Sequence, residues 1–378
     1  MNFFSSRLTP LFKEQPVIDG LSLALVVNRL QMVFLLLFSP TIFVYPHLIW
    51  FLILFGVLSL LNLRIISGWL NTKRGQQGYK GVADLFGTVL SKFLFFVAII
   101  IIFIKFSILS SEYIHLLNQF LFREQSETVL TILLISTAVY LASQGIGHTL
   151  KFVVFVFISS FWILFVFTYV VFLSLDHWSN LYPIFSTKLP EDSYISLIKL
   201  WALYSGPEYL VVLAPWIRPG VNILRRTSAG NVISVLEYVV LLAVVSIFFG
   251  RDYLQLLEQP LINIIRYVQL PFIERIDMIV IPALAVIFIF NLALLLLLGY
   301  GAFTWLSNLD KDGTNASLFA SFSLFFILSV MLFHTWFWGN EADRQFGLNV
   351  LLVISATGYT FLPTFLFVVN WWKEKKSH

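Results

Sequence analysis

The chain contains no cysteine in 378 residues. That excludes a disulfide framework, a thiolate metal site and a cysteine nucleophile. Charge is scarce too. Asp, Glu, Lys and Arg together make up 12% of the residues, against about 25% in an average soluble domain. The missing charge is replaced by apolar residues, 59% of the total with 40 Phe and 11 Trp, and the mean hydropathy is +0.88. A chain of this composition belongs in a bilayer as a helical, multi-pass protein. The formal charge of +4 does not point to nucleic acid, because the basic residues gather in short connections between apolar runs. The first twenty residues are mixed polar, with Pro10 and Pro16, and carry no signal-peptide pattern. No zinc-ligand spacing, nucleophile elbow or phosphate-binding glycine loop occurs. Neither an enzyme nor a metal or other cofactor is expected.

About twenty consecutive apolar residues make a span. By that measure there are ten, at about 22–46, 48–68, 90–117, 128–147, 152–175, 195–217, 231–250, 272–300, 316–338 and 346–370. The stretch 82–89 reads as a short interfacial helix, and 251–271 as a surface helix. Most basic residues, Arg29 among those counted, fall on the side of the even-numbered connections and both termini, which predicts cytoplasmic termini. The expected organisation is an N-terminal cytoplasmic segment 1–21, one transmembrane domain 22–370 and a basic tail 371–378. Ten spans divide into five and five. An odd number inverts the second half, so the predicted fold is all-α, a five-plus-five inverted repeat (about 22–175 and 195–370) with its first and sixth spans broken.

Span six carries the clearest break. Tyr204-Ser205-Gly206-Pro207-Glu208 lies near its middle. Pro207 removes a backbone donor, Gly206 lowers the cost of non-helical backbone, and Glu208 is a charge in an expensive place. The matching feature in span one is Ser39-Pro40-Thr41. Together they predict a ligand site at mid-membrane lined by Ser39, Pro40, Thr41, Tyr204, Ser205, Gly206 and Glu208. Span three adds Ser107 and Ser111, four residues apart and so on one face. Lys105 lies too deep to snorkel, with Glu208 or Glu112 as candidate partners, either as an interhelical ion pair or as a charge-coupling group. Lys105 and Glu112, seven apart, share a face but stand about 10 Å apart along the axis, so a direct pair between them is not expected. Asn291 in span eight is a further polar candidate. Glu237 reads as interfacial, and His334, among tryptophans, reads as part of an aromatic belt and not as the centre of an acyltransferase.

Several segments, in order, resemble the spore germination permease family, the B-type subunits of germinant receptors. They are Gly78-Tyr79 through Phe86-Gly87, Tyr140-Leu141-Ala142-Ser143-Gln144-Gly145-Ile146, Ser205-Gly206-Pro207-Glu208, Glu258-Gln259-Pro260-Leu261 and, most specific, Leu270-Pro271-Phe272-Ile273-Glu274-Arg275-Ile276-Asp277. The family belongs to the amino acid–polyamine–organocation superfamily. The resemblance implies a subunit that senses a small nutrient, usually an amino acid, in the spore inner membrane beside an A-type membrane subunit and a C-type lipoprotein. The alternative is a secondary transporter of amino acids or small cations on the same fold. One departure stands out: where the family commonly has glycines in the first span, this chain has Pro40, which offers no amide to a ligand.

Overall fold

Inside a bilayer, a helix lets the backbone satisfy its own polar groups, and the long apolar runs of this chain fold accordingly. The computed structural model describes residues 11–12, 16–42, 45–173, 175–182, 193–257, 259–268, 275–307 and 316–377, with the backbone alone at 38–42, 173, 175–176, 193–194 and 377. Among the described residues, twelve α-helices follow one another: α1 Gly20–Ile42, α2 Leu48–Leu70, α3 Tyr79–Phe86, α4 Thr88–Phe120, α5 Glu127–Ser143, α6 Ile146–Leu173, α7 Ser193–Ala202, α8 Ile223–Leu254, α9 Pro260–Tyr267, α10 Asp277–Leu306, α11 Ala316–Phe337 and α12 Glu341–Ser377. Eight are long and apolar enough to cross a membrane. α5 is a shorter apolar helix of 17 residues. α7 is followed by the 3-10 turns Pro207–Val212 and Ala214–Trp216. The chain is an all-α, multi-pass membrane protein.

Burial sorts the helices. The Gly20–Leu37 part of α1 is 89% buried and α10 is 67% buried, whereas α11 is 28% buried. So α1 and α10 form the centre and α11 lies at the rim. α8 packs closely on α1 because Gly230 has no side chain; a Cβ there would run into the carbonyl oxygen of Ala24. α9 turns Leu261, Ile262, Ile264 and Ile265 inward and leaves Arg266 and Tyr267 outside, so the predicted surface helix presses its apolar face onto the bundle.

Phe12 and Lys373 both contact the region of α3. Phe12 packs edge-on against Tyr79 with centroids 6.4 Å apart and stacks on Tyr300 at 6.1 Å. Near the other end, Lys373 donates to the carbonyl of Leu85. Residues ahead of α1 also pair with the end of span six. The amides of Val17 and Ile18 donate to the Trp216 carbonyl at 3.0 and 2.9 Å, and Arg218 N–H donates to the Ile18 carbonyl at 3.0 Å.

The break expected at Ser39-Pro40-Thr41 does not interrupt α1, which is helical from Gly20 to Ile42; the side chains of these three residues lie outside the description. A proline removes one hydrogen bond and can kink a helix without ending it, and no glycine accompanies this one.

Candidate functional site

The break in span six begins where α7 stops at Ala202. Gly206 sits at φ +118° and ψ −45°, a conformation that side-chain-bearing residues rarely adopt. A Cβ there would also stand 2.7 Å from Leu30 Cβ and 3.1 Å from the Leu30 carbonyl carbon. The glycine is therefore required twice, by its torsion and by its contact with α1. Pro207 opens the following 3-10 turn, where its missing N–H costs little.

Three successive carbonyls at the break are met. Ala202 accepts from Ser205 N–H at 3.0 Å and from the Ser205 hydroxyl at 2.7 Å. Leu203 accepts from the Tyr238 hydroxyl of α8 at 2.9 Å, and Tyr204 from Gln31 Nε2 of α1 at 3.1 Å. The Tyr204 hydroxyl reaches back to the Leu52 carbonyl at 2.7 Å. Broken backbone is tolerated at membrane depth because protein groups satisfy it.

Glu208, 2% exposed, accepts the Gly206 N–H on one carboxylate oxygen and Lys105 Nζ on the other, the latter at 3.0 Å. Lys105, also 2% exposed, donates further to the Tyr209 hydroxyl at 3.1 Å. Its ammonium stands 5.0 Å from the Tyr209 ring centre and 6.0 Å from that of Phe34. Of the two partners the sequence offered Lys105, the fold supplies Glu208. The site is thus a buried, neutral ion pair in an aromatic setting, anchored to the Gly206 amide of a broken helix and facing the unbroken middle of α1.

Other predicted residues lie elsewhere. Ser107 and Ser111 are fully buried and their hydroxyls have no hydrogen-bond partner among the described residues. Helical periodicity puts them on the opposite side of α4 from Lys105, so the fold does not bring them to Glu208. Glu112 is engaged by Arg344 Nη1 at 3.5 Å and Gln259 Nε2 at 3.4 Å, tying α4 to α12 and the start of α9. Asn291 donates to the Ile287 carbonyl at 2.9 Å and to that of Arg29 at 3.4 Å, joining α10 to α1. His334 Nε2 meets Glu127 Oε2 at 2.8 Å, joining α11 to α5. Leu270–Glu274 and Glu258 lie outside the described residues. The remainder of that stretch places the Asp277 carboxylate, 2% exposed, at the N-terminus of α10, where the helix dipole favours it, with Arg275 Nη2 at 2.8 Å.

A second buried pair escapes the sequence reading. Glu237 is not interfacial. It is 3% exposed and paired with Arg29 of α1, itself 1% exposed and so not a surface basic residue. Asn28 Nδ2 donates to Glu237 Oε2 at 2.7 Å and to the Ser234 hydroxyl at 3.1 Å. Arg29 Nη1 donates to the Ser160 hydroxyl at 2.8 Å, and the guanidinium lies 5.0 Å from the Phe157 ring centre. The signal was present: Asn28 and Gln31 on one apolar span, and Asn231, Ser234 and Glu237 on another, each recur at helical spacing. Two such stripes can satisfy each other only by facing each other.

Among solved structures, the fold is similar to that of a mutant of the Eremococcus coleocola manganese transporter, with 14% identity and a TM-score of 0.54. It is also similar to the manganese transporter of that organism in complex with an aromatic bis-isothiourea substituted compound, with 13% identity and a TM-score of 0.52. Each alignment covers 94% of this chain and 78% of the transporter. At these identities the likeness shows the fold alone. No curated protein matches the chain by sequence. The sequence profile of the spore germination protein family matches residues 36–337, a range that holds the span-six break, Lys105 and Glu237, and the chain therefore belongs to that family of membrane permeases.

Proposed function

We propose that the chain is the B-type membrane subunit of a spore germinant receptor, resident in the spore inner membrane with both termini in the core. It senses a small nutrient and signals to A-type and C-type partner subunits. The nutrient site is the span-six break, and the observation that carries this reading is the Lys105–Glu208 pair buried there. A buried pair is weak evidence for stability, since apolar replacements often do as well, and an intramembrane charge is by default a functional candidate. Lys105 offers an ammonium to a ligand carboxylate, Glu208 a carboxylate to a ligand cation, and the Tyr209 and Phe34 rings line the approach. Ligand binding acts on the partners through its different affinity for two arrangements of the bundle.

The test separates sensing from folding. Glu208→Gln and the double variant Lys105→Met/Glu208→Met are placed in spores, with protein level measured by immunoblot. The double variant keeps a neutral interior, so it assembles at wild-type level, yet the nutrient concentration for half-maximal germination rises at least about tenfold, the shift that about 1.4 kcal/mol of lost binding gives. An unchanged dose response in both variants removes the site from the break.

A second reading, a working secondary transporter of an amino acid or small cation, is favoured by the same carboxylate acting as a proton-linked group. Fold does not separate the two. Uptake into proteoliposomes does: sustained, gradient-coupled accumulation establishes transport, and binding without accumulation leaves the sensor.

A further inference from the structure

A crevice of about 520 Å³ opens on the flank of the bundle, between α4, α10 and α11. Its walls are Ile99, Phe103, Phe303, Phe322, Phe325 and Phe326. These rings brace one another, with centroids 4.8 Å apart for Phe322–Phe326 and 5.5 Å for Phe103–Phe326. Interlocked aromatic side chains hold a cleft open where flexible ones would collapse into it. The crevice faces sideways, since Phe325 is 61% and Ile100 43% exposed, and it flanks α11, which is 28% buried.

A transmembrane helix docks through small residues and hydrogen bonds. This crevice offers neither: its one hydroxyl, Ser321, already donates to the Ser317 carbonyl at 2.9 Å. An acyl chain asks only for apolar walls. The headgroup is set by charge. Lys92, Phe96, Ile99 and Phe103 follow one another at intervals of four, three and four along α4, so they share one face. Lys92 precedes Ile99 by seven residues, about 10 Å along the axis, near the start of α4 where headgroups lie. It is partly exposed and forms no ion pair with any described residue. We infer that the crevice is a binding site for an anionic phospholipid, with one acyl chain between α4 and α11 and the phosphate at Lys92.

The absence of cysteine makes the test direct. Phe325→Cys in the full chain carries a single bimane label, and the protein is reconstituted with brominated phosphatidylglycerol or brominated phosphatidylcholine, each in competition with unbrominated phosphatidylcholine. Phosphatidylglycerol should quench with about fivefold higher relative affinity, the equivalent of about 1 kcal/mol for one basic residue at an anionic surface. Lys92→Gln should abolish that preference while quenching by both lipids persists, and excess inorganic phosphate should leave the wild-type preference unchanged. Ser321→Trp, which fills the cleft, should lower quenching by both lipids. Equal affinity for the two lipids in the parent protein overturns the proposal. So does a preference that survives Lys92→Gln, or the absence of quenching by either lipid, which would mean that a protein surface covers the cleft.

Discussion

At the scale of single residues, the buried charges set the sharpest expectations. Arg29→Met leaves Glu237 charged in a dry interior, and losing one member of such a pair costs about 3–5 kcal/mol. Arg29→Met with Glu237→Met leaves no unmatched charge and should recover most of that loss. Thermal unfolding of both variants in one detergent measures the difference, and a double variant as unstable as the single one refutes the account. His47 carries a pH dependence. Burial first, and Arg251 second, hold its imidazole below the usual histidine range. The folded state therefore keeps His47 neutral while the unfolded chain takes up a proton below about pH 6.5. Its contribution is intact above that value and declines as pH falls toward the lower folded pKa, so the α1–α2 turn should loosen in mild acid. Hydrogen exchange at residues 45–48 should show this, and His47→Gln should remove it. Lys105 and Glu208 were legible in the sequence because each is too deep in its span to reach water. Arg29 was not, because it lies near enough to the start of α1 to pass for a residue that snorkels. Only the packing of α8 on α1 shows that its route to water is closed.

Among the elements, the break read in span six is present and the counterpart read in span one is not. Glycine and proline together state a torsion and a lost donor that hold in any surroundings. Pro40 alone states only a lost donor, and α1 absorbs it. The place where α1 meets the break, Leu30, contains nothing unusual, so no local pattern could announce it. Gly206→Ala tests this geometry. Its φ of +118° and the 2.7 Å approach to Leu30 predict a loss of about 1–3 kcal/mol, read as a lower Tm in detergent. The start of α1 offers a gentler case. Asp19 accepts the Ser22 N–H at 2.9 Å, and hydrogen bonds from Ser22 hold its carboxyl below the usual range. Asp19→Ala should cost about 1 kcal/mol near neutral pH. Because the folded pKa is the lower one, that cost should shrink as pH falls below about 3.9 and through the folded value. A variant as stable as the parent at neutral pH removes the cap.

For the whole molecule, counting apolar runs gave the all-α, multi-pass class because apolar length is a one-dimensional quantity, and eight helices among the described residues are long and apolar enough to cross a membrane. Which helices occupy the centre was not legible: α1 and α11 are similarly apolar, and their burial differs only through what surrounds them. Orientation in the membrane is directly measurable. With no native cysteine, Lys375→Cys can be labelled by a membrane-impermeant maleimide. Protection in intact protoplasts and labelling after permeabilisation place the termini in the cytoplasm, whereas labelling of intact protoplasts reverses the topology. The pairing ahead of α1 has a mechanical consequence. The Trp216 carbonyl and the Arg218 amide are joined to Val17 and Ile18, which lead straight into α1. The far portion of span six and the root of α1 are thus spliced into one lever. A tilt about Gly206 must drag the root of α1 with it, so a disturbance at mid-membrane arrives as displacement at Val17 and Ile18, ahead of that helix.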